Sequence, residues 1–543
     1  MGQCYVAGGK PAWDSVIGPE GNWYGWCYRA GGKPVRFRLR GRTMSGGTPQ
    51  RDRKQEDDMS VLAGLEPQGV FHFFEEITRI PHGSGNVGQI SDYLAGFAKE
   101  RGLFCIQDEL KNIIIIKEAA PGYEKEPPVI LQGHMDMVAV KKPDCDMDMT
   151  KEGLRVGVRG DEIYAEGTSL GGDDGIAVAY ALALLDSHTI RHPRLEVVIT
   201  VDEEVGMDGA RGIDLSMLAG NRMVNLDSEE EGIFLTSCAG GARVHCNLPL
   251  AFTEKQGTAV EIILGGLQGG HSGGEIHKER GNANCLLGRV VYRAAEKLQV
   301  NLVEAWGGLA DNAIPREAKA VLLAEDGKLE NLLGLIKEME TEISQELGSR
   351  DPGFFLRSGE PVQGSFRCVS GEDTKRAARL LISLPGGVQA MSADMPGLVE
   401  TSLNLGILRL EKEKGNLLAE FAVRSSVESA KYALIDKVAA VTELAGGSST
   451  ATGDYPGWKY RRESPLREKM IRVYRELYHG EPKVEAIHAG LECGILGSKI
   501  RDLDCVSIGP DMNGIHTTEE TLSISSVKRV WEYLVKLLET KDV

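Results

Sequence analysis

Three short apolar runs, each followed at once by an acidic or histidine side chain, constrain this chain more than any other feature. Residues 129–131 are apolar, residues 197–201 and 223–226 are apolar except for Thr200 and Asn225, and His134, Glu203 and Asp227 follow these runs within three residues. Apolar runs of this length are typical of strands in a sheet that is buried on both faces. Because the carboxyl ends of parallel strands meet at one edge of such a sheet, we expect these side chains to lie together.

From Met59 onwards strands and helices alternate, which predicts an α/β fold with a largely buried sheet. We expect helices over residues 66–79, 91–100, 175–185, 466–478 and 526–538, and strands over residues 112–116, 129–131, 195–201, 223–226 and 505–508.

Residues 241–452 show a different pattern, which passes twice through the order β-α-β-β-α. The first pass has strands near residues 259–264, 312 and 318–323 with helices over 282–298 and 329–347; the second has strands near 364–369, 400–410 and 417–424 with helices over 374–384 and 430–444. His516 can join the earlier motifs only if the chain leaves the first domain and returns to it. We therefore expect an N-terminal extension over residues 1–58, a catalytic domain over 59–240 and 453–543, and an inserted α+β lid over 241–452.

The composition indicates a soluble globular protein of two or three domains, with 543 residues, 42% hydrophobic and 26% charged. A net charge of −17 disfavours nucleic acid or an anionic membrane as the main partner. The longest apolar stretch, near residues 176–185, is too short to span a bilayer. The 10 cysteines are scattered without a C-x-x-C pair, so we expect buried reduced thiols in a cytosolic protein.

The first 58 residues differ from the rest of the chain, with 10 Lys and Arg against 6 Asp and Glu. No helical or strand periodicity persists there, so we expect disorder or a loosely attached extension. Two alternatives are a basic tail that binds nucleic acid and an over-extended start, with the functional protein beginning at Met59. The first ten residues lack a basic start followed by an apolar core, so we expect no signal peptide.

Five motifs supply oxygen and nitrogen ligands for a pair of divalent metal ions. They are Gly-His-Met-Asp at residues 133–136, Gly-Gly-Asp-Asp-Gly at 171–175, Asp-Glu-Glu at 202–204, the acid at 227 and the histidine at 516. Two cations about 3.5–4 Å apart need a bridging carboxylate, for which Asp173 is the candidate. We expect His134 and Asp227 on one metal and Glu204 and His516 on the other. This ligand set suits Zn²⁺, and also Mn²⁺ or Co²⁺.

Two further acids accompany these ligands. Asp136 is well placed to hold the other ring nitrogen of His134, and Glu203 is the natural general base that moves a proton from the bridging water to the departing amine. Taken singly, an acidic pair in a loop usually lies on a solvated face, and Asp174 could be only a helix N-cap. The five motifs in order favour a two-metal hydrolase instead.

These motifs resemble those of the co-catalytic zinc peptidase family that includes carnosinases, aminoacylases and glutamate carboxypeptidases. Within it the chain is similar, from about Met59 to its end, to the bacterial aminoacyl-histidine dipeptidases, also called cytosol non-specific dipeptidases. Supporting strings are Gly-His-Ser-Gly at residues 270–273, Asn-Ala-Ile-Pro-Arg-Glu-Ala at 312–318 and His-Ala-Gly-Leu-Glu-Cys-Gly at 488–494. Residues 1–58 have no counterpart in this resemblance.

The resemblance implies a cytoplasmic enzyme that cleaves unblocked dipeptides, including Xaa-His substrates such as carnosine, with two divalent metal ions and a central mixed sheet flanked by helices. It implies metal ligation by His134, Asp173, Glu204, Asp227 and His516, catalysis by Asp136, Glu203 and His271, and substrate binding by Asn312, Arg424 and Gly490. Arg424 would grip the terminal carboxylate and His271 would stabilise the oxyanion. A cis peptide bond after Asp173 is also implied. A homodimer is compatible with the family, although the doubled lid suggests that His271 acts within its own chain.

Two departures from the family pattern stand near the bridging acid: Asp174 and Ala177 occupy positions where Asn and Gly are expected. In addition, residues 229–231 are three glutamates, so more than one acid is available after Asp227. Two other functions compete with dipeptide hydrolysis: deacylation or carboxypeptidase action on N-acyl amino acids, and metal or peptide binding without catalysis. The latter would require loss of Glu203 or of a ligand, and none is lost.

Overall fold

The structure is a computed structural model that describes residues 60–325 and 327–542, together with four two-residue strands nearer the start of the chain. Those strands pair antiparallel, Val16–Ile17 with Trp23–Tyr24 and Trp26–Cys27 with Val35–Arg36. The prediction that residues 1–58 are disordered or loosely attached otherwise lies outside the described residues. The chain divides into two units, Met1–Ser60 and Val61–Val543, and everything that follows lies in the second.

Between residues 60 and 239 the structure describes five α-helices and eight strands. The helices are α1 (Gln68–Thr78), α2 (Gly88–Glu100), α3 (Gly172–Asp186), α4 (Glu203–Gly206) and α5 (Asp208–Gly212). The strands are β1 (Phe104–Gln107), β2 (Ile113–Lys117), β3 (Val129–His134), β4 (Val156–Arg159), β5 (Glu162–Ala165), β6 (Leu195–Thr200), β7 (Arg222–Asn225) and β8 (Ile233–Cys238).

The next segment, from Gly240 to Tyr455, contains four helices and twelve strands in its described part. The helices are α6 (Ala283–Leu298), α7 (Leu329–Leu347), α8 (Gly371–Ser383) and α9 (Glu428–Leu444). The strands are β9 (Gly240–Pro249), β10 (Phe252–Gly265), β11 (Gly270–His271), β12 (Asn301–Gly307), β13 (Ala313–Ile314), β14 (Ala318–Ala324), β15 (Phe355–Ser358), β16 (Val362–Val369), β17 (Gly387–Met391), β18 (Val399–Glu411), β19 (Asn416–Ser425) and β20 (Ser448–Tyr455).

The last segment returns to the first pattern. Its elements are α10 (Pro465–Tyr478), β21 (Lys483–Ile487), α11 (Glu492–Lys499), β22 (Asp504–Ser507), β23 (Met512–Asn513), β24 (Thr521–Ser523) and α12 (Ile524–Glu539). None of the helices in the described ranges combines the length and the apolar composition that a membrane span requires.

The first and last segments share one mixed sheet of eight strands, in the order β21-β8-β22-β7-β3-β6-β2-β1. Its four central strands, β22, β7, β3 and β6, are parallel. Alternate residues of β2 enter different cores: Ile113 and Ile115 pack with α1, α3, α10 and α12, whereas Ile114 and Ile116 pack on the other face with Leu491 and its neighbours. Both faces are therefore covered, which explains the continuous apolar runs of the sequence. The predicted α/β fold with a mixed central sheet is confirmed.

The middle segment builds a separate antiparallel sheet, in the order β15-β10-β14-β12-β18-β19-β9-β20, with β16 added beside β10 and β17 beside β18. Helices α6 to α9 contribute to the buried core of this sheet. These residues are those for which the sequence predicts the inserted lid. The strand expected around Asn312 is the two-residue strand β13, which begins one residue after it, with Asn312 itself in the preceding turn. The longer strand β12 was not predicted.

The chain leaves the central sheet and returns to it at neighbouring points. Cys238, at the end of β8, exchanges backbone hydrogen bonds with Trp458, with both N–O distances at 3.0 Å. Gly241 at the start of the middle segment pairs with Tyr455 at its end. The antiparallel domain is thus attached through two adjacent strands, and the four parallel strands of the central sheet all point their carboxyl ends at one edge.

Candidate metal centre and active site

Asp173 lies between two histidines that come from opposite ends of the chain. Its Oδ1 is 3.1 Å from His134 Nε2, at the end of β3, and its Oδ2 is 3.2 Å from His516 Nε2, in the loop that follows β23. Non-helical backbone angles at Asp173 and Asp174 interrupt the first turn of α3, and the peptide bond between them is cis, as the resemblance implies. One carboxylate therefore offers one oxygen to each side, which is the geometry that a bridging ligand requires.

Two further carboxylates complete the cluster. Glu204 Oε1 is 2.9 Å from His516 Nε2, and Asp227 Oδ1 is 3.7 Å from His134 Nε2. The side chains of Glu204 and Asp227 are only 6% and 11% exposed. The geometry thus separates into two halves on either side of Asp173, each with one histidine and one terminal carboxylate. We propose the same pairing of ligands below.

The cluster has an excess of buried negative charge. None of Asp173, Glu204 and Asp227 forms an ion pair with a lysine or arginine within the described ranges; their charged partners are the two histidines. Burial raises the pKa of Asp227 to about 6. Hydrogen bonds with Asp173 and Glu204 raise the pKa of His516 to about 10. The histidines are thus drawn towards the protonated form by the carboxylates that surround them.

This donor set fits divalent metal ions. His134 with Asp173 and Glu204, and His134 with Asp174 and Asp227, are groups whose possible ligand atoms lie within 4.8 Å of one another. Buried carboxylates without cationic partners are costly, and a bound cation offsets that cost. The donors are nitrogen and oxygen without thiolate, which suits Zn²⁺, Mn²⁺ or Co²⁺ and does not choose among them.

Asp136 connects the metal cluster to the expected general base. Its carboxylate accepts hydrogen bonds from Ser84 Oγ (2.8 Å) and from the backbone N–H of Glu203 (3.1 Å). The nearer partner of His134 Nδ1 is the backbone carbonyl of Asp136 at 2.9 Å, and the Asp136 carboxylate is 3.5 Å away. Asp136 therefore fixes the backbone that carries Glu203 more directly than it fixes the imidazole ring.

Glu203 begins the short helix α4 directly after the strand β6 and Asp202, which has a left-handed backbone (φ 54°). Burial raises the pKa of Glu203 well above its ordinary value, and Asp227 and Glu204 add to this effect through their charges. A carboxylate with a raised pKa binds a proton more readily, which suits a group that must accept one from water and pass it on.

The two departures near Asp173 are accommodated by packing. Asp174 is fully buried and accepts a hydrogen bond from the backbone N–H of His134 (3.1 Å). Burial and the charge of Asp227 raise the pKa of Asp174 well above its ordinary value, so the neutral acid resembles the expected amide. The methyl group of Ala177 lies 2.7 Å from the position that a Cβ on Gly133 would take, so glycine is required there.

Among the three glutamates after Asp227, Glu231 is engaged elsewhere. It forms two hydrogen bonds with the guanidinium group of Arg529, at 2.6 and 2.7 Å. The acid nearest to His134 in this segment is Asp227.

The lid residues named by the resemblance lie near one another and near the last segment. The position of a Cβ on Gly273 would be 3.0 Å from His271 Cε1, 3.2 Å from Arg424 Nε and 2.5 Å from the backbone oxygen of His488. His271 Nδ1 accepts a hydrogen bond from the N–H of Gly274 (3.0 Å), so a neutral ring carries its proton on Nε2 and can donate it to a substrate oxygen.

Arg424 is half-buried and, in the described part of the chain, has no carboxylate partner. Its Nη1 donates to the hydroxyl of Tyr455 (3.2 Å), and its buried Nε has no hydrogen-bond partner. Burial and the charge of Arg424 lower the pKa of the adjacent His488 to about 3, so that ring stays neutral. An unpaired guanidinium of this kind is suited to bind an anionic group of a ligand.

Asn312 lies next to the His271 segment, and Gly490 lies next to Tyr455, the hydrogen-bond partner of Arg424. The backbone oxygen of Asn312 accepts from Ser272 (2.8 Å), next to His271, and its side chain is exposed. A Cβ on Gly490 would lie 2.9 Å from the ring of Tyr455 and 2.9 Å from Met207 Cε, so only glycine fits there.

Sequence reasoning missed several side chains that contact the site. Ser84 binds Asp136, Tyr455 binds Arg424, Glu492 is buried behind the central strands, and Glu520 holds the loop before Asp173. The sequence offers a weak signal for two of these residues. Glu520 follows His516 by four positions, and Glu492 lies in the string at residues 488–494 that the resemblance includes.

Comparisons with known proteins agree with this geometry. Residues 130–540 match the peptidase family M20/M25/M40. The cytosol non-specific dipeptidase of Escherichia coli (strain K12) is 37% identical over 486 residues, which cover 89% of this chain and 99% of that protein. The crystal structure of aminoacylhistidine dipeptidase from Vibrio alginolyticus is 34% identical and superposes with a TM-score of 0.83, covering 90% of this chain and 100% of the other.

A more distant structure shares the fold alone. The aminopeptidase PepT from Bacillus cereus is 15% identical, with a TM-score of 0.53 and coverage of 88% of this chain and 98% of that one.

Proposed function

This chain belongs to the peptidase family M20/M25/M40, and we propose that it is a two-metal dipeptidase that hydrolyses unblocked dipeptides, including Xaa-His substrates. The observation that carries the proposal is the position of Asp173, with one carboxylate oxygen directed to His134 and the other to His516. Two similar proteins that cover nearly the whole chain are a cytosol non-specific dipeptidase and an aminoacylhistidine dipeptidase.

We assign metal binding to His134, Asp173, Glu204, Asp227 and His516. Zn²⁺ is our first choice because two imidazoles and carboxylates suit it, and Mn²⁺ or Co²⁺ would fit the same donors. When bound, the two ions would polarise the scissile carbonyl and lower the pKa of the attacking water.

The remaining groups of the site have separate tasks in the proposed mechanism. Glu203 accepts a proton from the attacking water and delivers it to the nitrogen of the departing amino acid. Asp136 holds the backbone N–H of Glu203 and so keeps that carboxylate in place. His271 donates from Nε2 to the oxygen that gains negative charge in the transition state.

Substrate recognition in the proposal rests on the lid. Arg424 binds the terminal carboxylate, for which its unpaired guanidinium is suited, and the hydroxyl of Tyr455 holds that guanidinium. Gly490 allows the close approach of Tyr455 and Met207 to the backbone and so places its own backbone beside the substrate, and Asn312 lies beside His271 to contact the substrate. A substrate with a free carboxylate and one peptide bond could bind Arg424 through its carboxylate and the metal site through its scissile carbonyl.

We further propose that residues 241–452 form a lid inserted into a catalytic domain built from residues 59–240 and 453–543. The close approach of Gly273 to the backbone of His488 supports action of His271 within its own chain, without excluding a homodimer. Mixing a His271→Ala variant with a His134→Ala variant tests this point. Recovery of activity in the mixture would show that His271 acts across a dimer, and we expect none.

The test of the proposed function uses metal-depleted protein reloaded with Zn²⁺, Mn²⁺ or Co²⁺ and assayed on a panel of dipeptides, including carnosine. We expect turnover of dipeptides with at least one of the metals and little turnover of N-acetyl amino acids. Preference for N-acetyl amino acids would favour a deacylase, and absence of any turnover with all three metals would refute the proposal. The free cysteines in the described ranges support a cytoplasmic enzyme. The net charge of −17 disfavours nucleic acid as a partner.

A further inference from the structure

Glu520 is a buried acid that contacts neither histidine and yet lies between the loops that carry two of the proposed ligands. Its Oε2 accepts hydrogen bonds from the backbone N–H groups of Leu170 (2.8 Å) and Gly171 (3.1 Å), and its Oε1 accepts from Gly172 (2.8 Å). The residue is 3% exposed. Three consecutive backbone N–H groups therefore converge on one carboxylate.

The segment that Glu520 binds ends at the bridging acid. Gly171 has a left-handed backbone (φ 69°) and Gly172 immediately precedes Asp173. This turn directs successive N–H groups to one side, and a carboxylate there fixes the direction in which the chain enters α3. The position of the Asp173 carboxylate depends on that direction, because its own backbone angles are not helical.

Glu520 also belongs to the loop that carries the other proposed ligand. His516 lies four residues earlier, has a left-handed backbone (φ 60°), and has a side chain that is 44% exposed. A non-glycine residue in this conformation is held by its surroundings rather than by its own preference. Within the loop, the N–H of Glu520 lies 3.4 Å from the oxygen of Thr517.

We propose that Glu520 is a positioning residue that joins the His516 loop to the Asp173 turn and so preforms the half of the metal site made by His516, Asp173 and Glu204. The inference rests on the proposed two-metal site. In this role Glu520 sets the distance between His516 Nε2 and Asp173 Oδ2, which is 3.2 Å. The other half shares Asp173, but His134 and Asp227 lie at the ends of β3 and β7 and do not contact Glu520, so it should depend on Glu520 less.

The test compares Glu520→Gln with wild type and with Glu519→Gln as the matched control. Glutamine has nearly the same size as glutamate. Its amide NH₂ group, however, would face at least one of the backbone N–H groups from which the carboxylate accepts a hydrogen bond, so that hydrogen bond is lost. Glu519 is the adjacent acid, lies on the surface and pairs with Lys142 at 2.7 Å. The Glu519→Gln substitution therefore removes the same charge without affecting the turn before Asp173.

Titration of metal-depleted protein with Zn²⁺ in a calorimeter, with metal content measured after dialysis, gives the primary readout. For Glu520→Gln we expect one ion to bind about 10–100-fold more weakly, as is usual when a group that holds a ligand is removed. The other ion shares only Asp173 with the disturbed half and should bind more weakly by a smaller factor. Glu519→Gln should bind two ions as wild type does. The melting temperature of the metal-free protein identifies a variant that fails to fold. If Glu520→Gln fails to fold, Glu520→Asp replaces it in the titration, because aspartate keeps the charge but has a shorter side chain.

The outcomes separate this inference from the proposed function. Equal weakening of both ions in Glu520→Gln, or unchanged binding of both, would overturn the positioning role. Binding of fewer than two ions by wild type would overturn both proposals. Selective weakening of one ion in a protein whose wild type hydrolyses no dipeptide would support the positioning role and refute the dipeptidase.

Discussion

Glu492 lies buried behind the metal cluster, and its replacement by glutamine should remove a pH-dependent loss of stability from the metal-free protein. Its Oε2 accepts hydrogen bonds from Gln132 Nε2 (2.6 Å) and from the hydroxyl of Thr200. Its Oε1 is buried without a hydrogen-bond partner in the described part of the chain. Burial raises the pKa of Glu492 from 4.5 to about 8.

The direction of the effect follows from the proton balance. Between pH 4.5 and 8 the folded protein retains a proton on Glu492 that the unfolded chain has released, so the free energy of unfolding falls as the pH rises. The expected loss is about 2–3 kcal/mol between pH 5 and 7 and about 1–2 kcal/mol more by pH 9. A glutamine keeps the acceptor for Gln132 and Thr200 and has no proton to lose.

Urea unfolding of metal-free wild type and Glu492→Gln at pH 5, 7 and 9 measures this difference. We expect similar free energies of unfolding at pH 5 and an advantage of the variant that grows to a few kcal/mol at pH 9. An advantage that stays constant across the three pH values would refute the argument, because it would show that Glu492 binds no extra proton in the folded state. Metal-free protein is required because bound cations would change the charge next to this group.

Three further substitutions follow from the contacts of the site. Glu203→Gln should lower kcat for a dipeptide by about 10²–10⁴-fold, with unchanged metal content by elemental analysis; activity near wild type would exclude Glu203 as the base. Tyr455→Phe should raise KM several-fold with little change in kcat, because Arg424 loses its hydrogen-bond partner, and a fall in kcat alone would contradict this role. Gly133→Ala would put a methyl group 2.4 Å from Asp174 Oδ2, so we expect a loss of about 1–3 kcal/mol of stability in thermal unfolding, and an unchanged melting temperature would mean that α3 can shift.

The parts of the fold that could be predicted are those in which one stretch of sequence carries its own pattern. The helix expected over residues 526–538 is Ile524–Glu539, and the strand expected over residues 129–131 extends to His134. Both have apolar periodicity that is independent of distant residues. The location of His134, Glu203 and Asp227 at one sheet edge also follows from sequence, since parallel strands place their ends together.

The errors and omissions arise where tertiary contacts decide. The strand Asn301–Gly307 was not predicted, because its short alternation of apolar residues does not by itself fix a strand within a ten-stranded sheet. Glu520 is separated from Leu170 by 350 positions, and nothing in its neighbourhood distinguishes it from the exposed Glu519. Tyr455 is similar, because its contacts with Arg424 and Gly490 exist only after the lid has folded.

The same contrast explains why the ligands were easier to find than the groups that hold them. The proposed ligands are histidine, aspartate or glutamate, and three of the five, His134, Glu204 and Asp227, lie at or just after strand ends. Their chemistry and their place are therefore both visible in the sequence. A supporting group needs only to reach a backbone N–H or a guanidinium, and many side chains at many positions satisfy that requirement. Asp136 shows both cases: its position beside His134 indicated a role at the site, whereas its hydrogen bonds to Ser84 and to the N–H of Glu203 required the structure. The precision of a metal site of this kind is therefore set by residues that motif spacing does not identify.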